Sequence, residues 1–401
     1  MPHDSTPADV VAFPNDLTVQ IRLRVREALE MVLEEELASA LGATRSQRTA
    51  TRSGYRNGSV TRDLVTEAGP CTLSLPRGRV VQADGSTKEW RSRLLDRYQR
   101  RTRKAESAIL GVYAAGGNTR RIRRAIAPLL GEKGQSKSAV SRIIRRLRDH
   151  FDAWRRRDLT DLAITYVYLD AMFLPVRLAR RVVRVPVLAV IGVQDDGEKV
   201  LLTLMIGGSE STTSWKGVVE DLVRRGLRRP ALAIVDGNGG LLRALRESWK
   251  ETKIQRCTRH KLENLMAKAP KHSHGELKRD YNEIIHAESL AAAERARARF
   301  VKKWTLLCRE VVRSLEEAGD ALLTFYGFPK SQWKCLRTTN PLEAVNSAFR
   351  RRTKTQGAYP NEDAALVLLY ALFATGQITL RKIDGWKDMT KAELIRLQQA
   401  A

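Results

Sequence analysis

The chain is poor in cysteine and in long apolar runs, and each shortage excludes a class of protein. Four of its 401 residues are cysteine, they are widely spaced, and no Cys-x-x-Cys pair occurs. This pattern argues against the disulfide framework of a small secreted protein. No stretch approaches the roughly 20 continuous apolar residues of a membrane-spanning helix. The first residues also lack the basic-then-apolar pattern of a signal peptide, so we expect a protein of the cytoplasm or nucleoid of a bacterium-like cell, with no membrane partner.

Acidic residues are also in short supply. The chain has 45 Asp and Glu against 71 Lys and Arg, which gives a net charge of +26 and a pI near 10.4. Such a balance favours a polyanionic partner, and we expect nucleic acid. The excess of positive charge is concentrated in residues 86–157, which contain 21 Lys and Arg and 6 Asp and Glu, a net charge of +15.

The length and the 43% hydrophobic content allow two or three domains with a substantial core. Apolar periodicity and composition divide the chain into five parts. We expect an N-terminal helical and short-strand region (1–85), a basic helical region (86–157), a strand-rich part (158–240), an all-helical insertion (241–337) and C-terminal helices (338–401).

The basic region has the pattern of a helix-turn-helix unit. Residues 105–115, 119–130 and 136–154 have helical periodicity, and Gly116-Gly117 separates the first two. In such a unit the last helix enters the major groove of DNA. A basic helical spacer that contacts only phosphates is the alternative. The candidate DNA-contacting side chains are Arg120, Arg121, Arg123, Arg124, Lys137, Arg142, Arg145 and Arg146.

The strand-rich part has a distinctive order of elements. Residues 165–170, 173–178, 182–193 and 199–207 predict strands in an antiparallel meander. A helix over 214–225 and a further strand over 230–236, returning beside the first strand, should follow. This order is typical of an RNase H-like core. We therefore predict an α/β fold in which an RNase H-like catalytic core with an all-helical insertion follows a mainly helical DNA-binding region with a helix-turn-helix.

Three acidic residues stand at the edges of predicted elements. Asp170 ends one apolar run, Asp236 ends another, and Glu343 lies at the start of a helix. Carboxylates bind hard cations such as Mg²⁺, and two such ions assist phosphoryl transfer. Each acid also has an ordinary explanation. Asp170 could end a strand, Asp236-Gly237 could form a turn, and Glu343 could be the N3 partner of an Asn340 cap.

Two further sets of residues accompany the acids. Asn346 and Arg350 follow Glu343 at i+3 and i+7, so these three side chains share one helix face and could support an active site. Cys257 and His260 form a Cys-x₂-His spacing. With His272 and His274 this spacing could hold a structural zinc, although those two histidines are closer together than zinc sites normally require. Support of the core is the other interpretation.

Ordered motifs resemble a known family over nearly the whole chain. They are Tyr55-Arg56-Asn57-Gly58, Leu75-Pro76-Arg77, Tyr113-Ala114-Ala115-Gly116-Gly117-Asn118-Thr119-Arg120, Val167-Tyr168-Leu169-Asp170, Glu210-Ser211 before Trp215, Asp221-Leu222-Val223-Arg224-Arg225-Gly226-Leu227, Asp236-Gly237, Cys257-Thr258-Arg259-His260 and Thr338-Thr339-Asn340-Pro341-Leu342-Glu343. In this the chain resembles the Mutator-type DDE transposases of bacterial insertion sequences. One departure is Gly78, where relatives tend to carry an acid.

The resemblance implies a function and a site. Asp170, Asp236 and Glu343 would form the catalytic triad and hold two Mg²⁺ ions, with Mn²⁺ as a substitute, and Cys257 and His260 would be the accessory signature. The chain would bind double-stranded terminal inverted repeats and target DNA, cleave strands and join them, and act at least as a homodimer. The alternatives are a catalytically inactive helix-turn-helix regulator and an RNase H-like nuclease.

Overall fold

The computed structural model describes residues 15–117, 119–130, 136–353 and 357–389. The chain forms two compact units, Met1–Arg146 and Leu147–Ala401. The boundary falls inside a helix rather than at residue 157.

The first unit combines a long helix, a small antiparallel sheet and shorter helices. Its elements are α1 (Asn15–Leu41), β1 (Gly54–Thr66), β2 (Gly69–Val81), β3 (Thr87–Glu89), α2 (Arg103–Ala114), α3 (Thr119–Leu130) and the first part of α4 (Lys137–Arg155). Leu33 of α1 packs on Leu64, Leu73 and Leu75 of the sheet. The helices predicted over 105–115, 119–130 and 136–154 are confirmed as α2, α3 and α4. The expectation of short strands is wrong, because β1 and β2 each have 13 residues.

The second unit is built on a five-stranded sheet. Its strands and the helices between them are β4 (Ile164–Leu178), β5 (Arg181–Gln194), β6 (Lys199–Ile206), α5 (Thr212–Arg224), β7 (Leu232–Val235), α6 (Gly239–Ser248) and β8 (Lys253–Arg256). The order across the sheet is β6-β5-β4-β7-β8. Neighbouring strands among β4, β5 and β6 are antiparallel, whereas β7 is parallel to β4 and β8 is parallel to β7. The predicted meander and the return beside the first strand are confirmed.

Two expectations about the strands are wrong. Residues 241–337 are not all helical, because β8 lies within them and adds the edge strand beside β7. Its four residues are too few, and too polar, to show a strand pattern in the sequence. The break expected at Ala171-Met172 is also absent, since β4 continues through both residues to Leu178 and pairs with β5 along its length.

The remaining helices follow β8. They are α7 (Thr258–Lys268), α8 (His274–Ile285), α9 (Leu290–Leu307), α10 (Arg309–Ala318), α11 (Trp333–Leu336), α12 (Asn340–Thr353) and α13 (Glu362–Ala374). In the described part of the chain, none of the helices is long and apolar enough to cross a membrane.

The two faces of β4 have different surroundings, since side chains alternate along a strand. Val167 and Leu169 join the apolar cluster made with α5 and α6. Tyr166, Tyr168 and Asp170 occupy the opposite face. There the Tyr166 hydroxyl donates to Gln332 Oε1 at 2.9 Å and the Tyr168 hydroxyl donates to the Cys335 carbonyl at 3.1 Å. The first acid therefore lies on the face covered by the C-terminal part of the chain.

Candidate active site

Asp170 is a buried carboxylate in the middle of β4. Asp170 is 7% exposed. Oδ1 accepts a hydrogen bond from the Ala171 N–H at 2.9 Å, and Oδ2 accepts one from Asn346 Nδ2 at 3.1 Å. Burial and the neighbouring Asp236 raise the pKa of Asp170 to about 7, and Glu343 adds to this effect while His260 opposes it. Asp170 thus lies among other charged groups in a poorly solvated position.

Asp236 lies beside Asp170 because of the strand register. Val235 pairs with Leu169 in the parallel β4–β7 ladder. Asp170 follows Leu169 within β4, and Asp236 directly follows Val235, the last residue of β7. Neighbouring strands are about 4.8 Å apart, so the two carboxylates emerge side by side. Asp236 Oδ1 accepts from the Asn238 N–H at 2.8 Å, which fixes the turn into α6.

Glycine is required directly after Asp236. Gly237 has φ +99°, and a Cβ there would lie 2.1 Å from the Arg256 guanidinium. Arg256 is itself 4% exposed and forms an ion pair with Glu317 at 2.9 Å. Glu317 also pairs with buried Lys261 at 2.7 Å. These two cations hold the pKa of Glu317 down to about 2, although burial acts in the other direction. The turn that carries Asp236 therefore rests against an ion-pair cluster that includes a residue of α10.

Glu343 projects from the first turn of α12 towards two cations. Arg259 Nη1 donates to Oε2, and His260 Nε2 lies 3.9 Å from Oε1. The capping explanation from the sequence is wrong. The Thr339 carbonyl accepts a hydrogen bond from the Glu343 N–H at 3.0 Å, so Thr339 is the N-cap and Glu343 is the fourth helical residue. The Thr339 N–H, which a capping-box carboxylate would bind, instead donates to Cys257 Sγ at 3.4 Å.

The structure brings Asn346 to the acids, as its position one turn after Glu343 suggested. Asn346 is 7% exposed, and its amide is bonded to Asp170 across 176 residues of sequence. Arg350, the other residue of that face, is exposed on α12. Asn346 therefore has a direct contact with a candidate ligand.

Cys257 and His260 lie against Glu343. One donor atom from each of these three residues falls within 4.8 Å of the others. Burial raises the pKa of the Cys257 thiol, but hydrogen bonding with His260 and with Thr339 outweighs burial and lowers it. The interaction with Cys257 raises the pKa of His260 to about 9 against the effect of desolvation. His272 and His274 are not part of this group, and His274 Nε2 instead lies 3.1 Å from the Ala269 carbonyl.

Two residues near the acids were missed as site residues. Glu210 Oε2 accepts from Asn238 Nδ2 at 2.8 Å, and burial together with Asp236 raises the pKa of Glu210. Arg259 is the cation on Glu343. Both belong to the motifs quoted above, so the signal was present. The residue type and spacing of Glu210 and Arg259 did not show what these side chains contact, because Asn238 and Glu343, their partners, are distant in sequence.

The candidate DNA-contacting residues lie in the first unit. Arg121, Arg123 and Arg124 are exposed on α3, and Arg142 and Arg145 are exposed on α4. Arg146 is also exposed but pairs with Glu106 of α2 at 2.5 Å. The side chains of Arg120 and Lys137 lie outside the described residues.

Comparison with known proteins now gives the family. The family model described as "Transposase, Mutator family" matches residues 11–379. The chain is 31% identical over 384 residues to the transposase for insertion sequence element ISRM5 of Rhizobium meliloti, which covers 95% of this chain and 94% of the relative. It is 29% identical to the transposase of IS905 from Lactococcus lactis, with 90% of each chain covered. For the transposase of IS1081 from Mycobacterium tuberculosis the identity is 32%, with coverage of 89% and 85%. The chain belongs to the Mutator family of transposases.

Proposed function

We propose that this chain is a DNA transposase that binds the terminal inverted repeats of an insertion sequence and catalyses Mg²⁺-dependent strand cleavage and strand transfer. The observation that carries the proposal is the convergence of Asp170, Asp236 and Glu343. Asp170 lies within β4, Asp236 directly follows the neighbouring parallel strand β7, and the helix of Glu343 is bonded to Asp170 through Asn346. Acids brought together from such distant parts of the sequence are typical of an active site.

The fold supports this proposal at two points. An RNase H-like core has three antiparallel strands followed by two strands parallel to the first, and the order β6-β5-β4-β7-β8 agrees with that description. A helix-turn-helix is supported by the packing of α2, α3 and the first part of α4, since Ile109, Ile122 and Ile143 lie in one apolar cluster. We infer that α4 is the helix that enters the major groove.

The donor atoms of the site fit Mg²⁺. The ion prefers oxygen ligands, and the three acids supply carboxylate oxygens. Burial and then the neighbouring Asp236 raise the pKa of Asp170, and among the described residues no cation donates a hydrogen bond to this carboxylate. Buried Asn346 Oδ1 and Glu343 Oε1 also lack a hydrogen-bond partner among the described residues. Asp170, Asp236 and Glu343 would therefore hold the two ions, which when bound stabilise charge on the attacking and leaving oxygens.

The residues around the acids have distinct roles in this proposal. Asn346 fixes the rotamer of Asp170, and Asn238 orients both Asp236 and Glu210. Arg259 and His260 hold Glu343 in place. At the repeat end, water would attack the phosphodiester, so a bond forms from the water oxygen to phosphorus as the bond from phosphorus to the 3′ oxygen breaks. The repeat then ends in a 3′-OH and the flanking strand keeps the 5′-phosphate. That hydroxyl then attacks a phosphodiester of the target, so a new P–O bond forms as the old one breaks and no covalent protein intermediate is needed.

A strand-transfer assay tests the proposal. The full-length chain is incubated with Mg²⁺, target plasmid and duplexes that end in candidate repeats from the DNA flanking its coding sequence. We expect joined product from the native chain and none from Asp170→Asn, Asp236→Asn or Glu343→Gln. Cleavage without joining would favour an RNase H-like nuclease. Repeat binding with neither reaction would favour the inactive regulator.

The partners follow from the same proposal. Two repeat ends have to be brought together, so a homodimer bound to double-stranded DNA is the smallest assembly that can act. Sedimentation of the chain with one and with two repeat duplexes tests this. A monomer that joins two ends would contradict it.

A further inference from the structure

The hairpin of β4 and β5 extends beyond the rest of the sheet. On β4, pairing with β7 ends at Leu169, and on β5, pairing with β6 begins at Val187. The two strands nevertheless remain paired with each other as far as Leu178 and Arg181. We call residues 173–184 the basic arm. It starts three residues after Asp170 on the same strand.

Four arginines and no acid make up the charge of the basic arm. Arg177, Arg180, Arg181 and Arg184 are all exposed, and no Asp or Glu occurs between residues 171 and 194. Among the described residues none of the four has a carboxylate within ion-pair distance. Arg184 lies over the Phe173 ring, 5.9 Å from its centroid. The positive charge of the arm is thus available to a partner.

The arginines surround the ribbon. Residues directly opposite in an antiparallel pair share a face, and Arg184 pairs with Pro175 while Arg177 pairs with Val182. Arg177 and Arg184 therefore lie on one face. Arg181 pairs with Leu178 on the other face, and Arg180 is in the turn. A two-stranded ribbon fits the major groove of DNA, where phosphates line both walls.

The turn of the arm has an unfavourable sequence. Ala179 and Arg180 have φ of +45° and +68°, and two-residue turns of this kind strongly prefer Asn-Gly. Backbone strain of this sort is retained mostly where it serves a function. An arginine side chain at the tip that contacts a partner would explain why the strained turn is retained here.

The base of the arm is braced. The Arg177 N–H donates to the Tyr359 carbonyl, and the Tyr359 N–H donates to the Pro175 carbonyl, each at 2.8 Å. These bonds attach the segment after α12 to the arm through one isolated parallel β-bridge, between Val176 and Tyr359. The arm is therefore a supported ribbon and not a loose loop.

From these observations we infer that the basic arm is a second DNA-binding element, which lies in a groove of the duplex next to the scissile phosphate. The inference rests on the proposed function for the location of that phosphate. Arg177 is seven residues beyond Asp170, roughly 24 Å along an extended strand. Arg180 at the tip is ten residues beyond Asp170, roughly 34 Å, so contacts should fall within about ten base pairs of the site of cleavage, at about 3.4 Å per base pair.

The first test removes the charge of the arm. Arg177, Arg180, Arg181 and Arg184 are all changed to Gln in the full chain, and affinity for a linear duplex of unrelated sequence is measured at several salt concentrations without Mg²⁺. The control variant, Lys278→Gln, Arg279→Gln, Arg295→Gln and Lys302→Gln, loses the same charge from exposed positions on α8 and α9. Each phosphate contact contributes about 0.9 to the slope of log K against log salt. We expect the arm variant to lose about 3 to 4 from the slope and the control to change little. Equal losses in both variants would overturn the inference.

The second test separates the charge of the tip from the fold of the turn. Ala179→Asn keeps Arg180, whereas Ala179→Asn with Arg180→Gly gives the preferred turn sequence and removes the arginine. We expect both variants to melt at or above the native temperature and only the second to bind DNA more weakly. Equal DNA affinity in the two would show that Arg180 has no role in binding.

The two hypotheses fail in different ways. If the native chain shows arm-dependent DNA binding but joins no strands, the proposed function is wrong and the arm remains a DNA-binding element. If the chain joins strands and the arm variant binds and joins normally, the arm is not a DNA contact and the proposed function stands.

Discussion

Asn346 donates from Nδ2 to Oδ2 of Asp170 across 3.1 Å, and this bond connects the helix of the third acid to the strand of the first. Both residues are buried, at 7% exposure each. Among the described residues Asn346 Oδ1 has no partner. The amide therefore orients a carboxylate that burial and Asp236 already make costly to ionise.

Asn346→Ala should reduce strand joining about 10- to 100-fold, because a residue that orients a metal ligand typically has this effect. The variant should also need more Mg²⁺ for half-maximal joining, which a purely structural role would not produce. The exposed neighbour Ser347 provides a control, and Ser347→Ala should behave as the native chain. A normal Mg²⁺ requirement for Asn346→Ala would show that Asp170 does not depend on it.

Glu343→Gln should eliminate joining while leaving the melting temperature almost unchanged. The replacement is nearly isosteric, and Leu342, Val345 and Phe349, which pack α12, are preserved. Helix capping does not predict a loss, since Thr339 is the N-cap and a cap contributes only about 1 kcal/mol. Joining assays and thermal unfolding on the same preparation decide between the two roles. An active variant would require another third carboxylate.

Substitution of Cys257 or His260 should impair joining more than initial DNA binding. Cys257 Sγ accepts from both the N–H and the hydroxyl of Thr339, at 3.4 and 3.5 Å, so it connects the start of α7 to the cap of α12. Cys257→Ser keeps an acceptor, whereas Cys257→Val leaves the buried Thr339 N–H unpaired and should be worse.

His260→Ala, which removes the ring beside Glu343, should resemble Cys257→Val. Cys308→Ser, at a half-buried position at the start of α10, is the control. Stoichiometric zinc in the purified native chain would instead favour a structural metal at this Cys-His pair.

Glu317→Gln should destabilise the chain at neutral pH and much less in acid. The pKa of Glu317 is lowered from the usual 4.5 to about 2 by Arg256 and Lys261. Its stabilising effect is thus fully present above pH 4.5 and is lost as the pH falls towards 2.

Urea unfolding of native and variant chains between pH 7 and pH 3 measures this difference. Glu316→Gln, at the exposed neighbouring position, should show no such dependence. A constant difference across this range would mean that the ion pairs do not stabilise the fold.

The fragment 147–401 should lose specific repeat binding and retain its fold. Its N-terminal part is needed, because Phe151 and Trp154 pack against Tyr370 at 5.5 and 5.2 Å. Arg157 also donates to the Leu201 carbonyl at 2.7 Å. A fragment 158–401 should therefore unfold at a lower temperature. Repeat-specific footprints from fragment 147–401 would show that the first unit does not recognise the repeats.

The sequence by itself determined which residues could carry the chemistry. Period-two and helical apolar patterns located most elements, since those periods follow from backbone geometry. The same patterns placed Asp170 and Asp236 at the ends of strands, and this is confirmed for Asp236, which directly follows β7, but is wrong for Asp170, which lies within β4. The ordered motifs were sufficient to identify the family, and comparison with known proteins confirmed that family.

Tertiary structure decided what those residues contact. The polar four-residue strand β8 forms because β7 offers an open edge, which no local pattern reveals. For Glu343 the sequence left a helix cap as the alternative to catalysis, and the fold removed this alternative because the Thr339 carbonyl begins the helix and Arg259 and His260 lie beside Glu343. Such contacts depend on packing between segments that are far apart in the chain. Apolar area is removed from water only when several elements pack together, so the pattern within one element does not predict its partners.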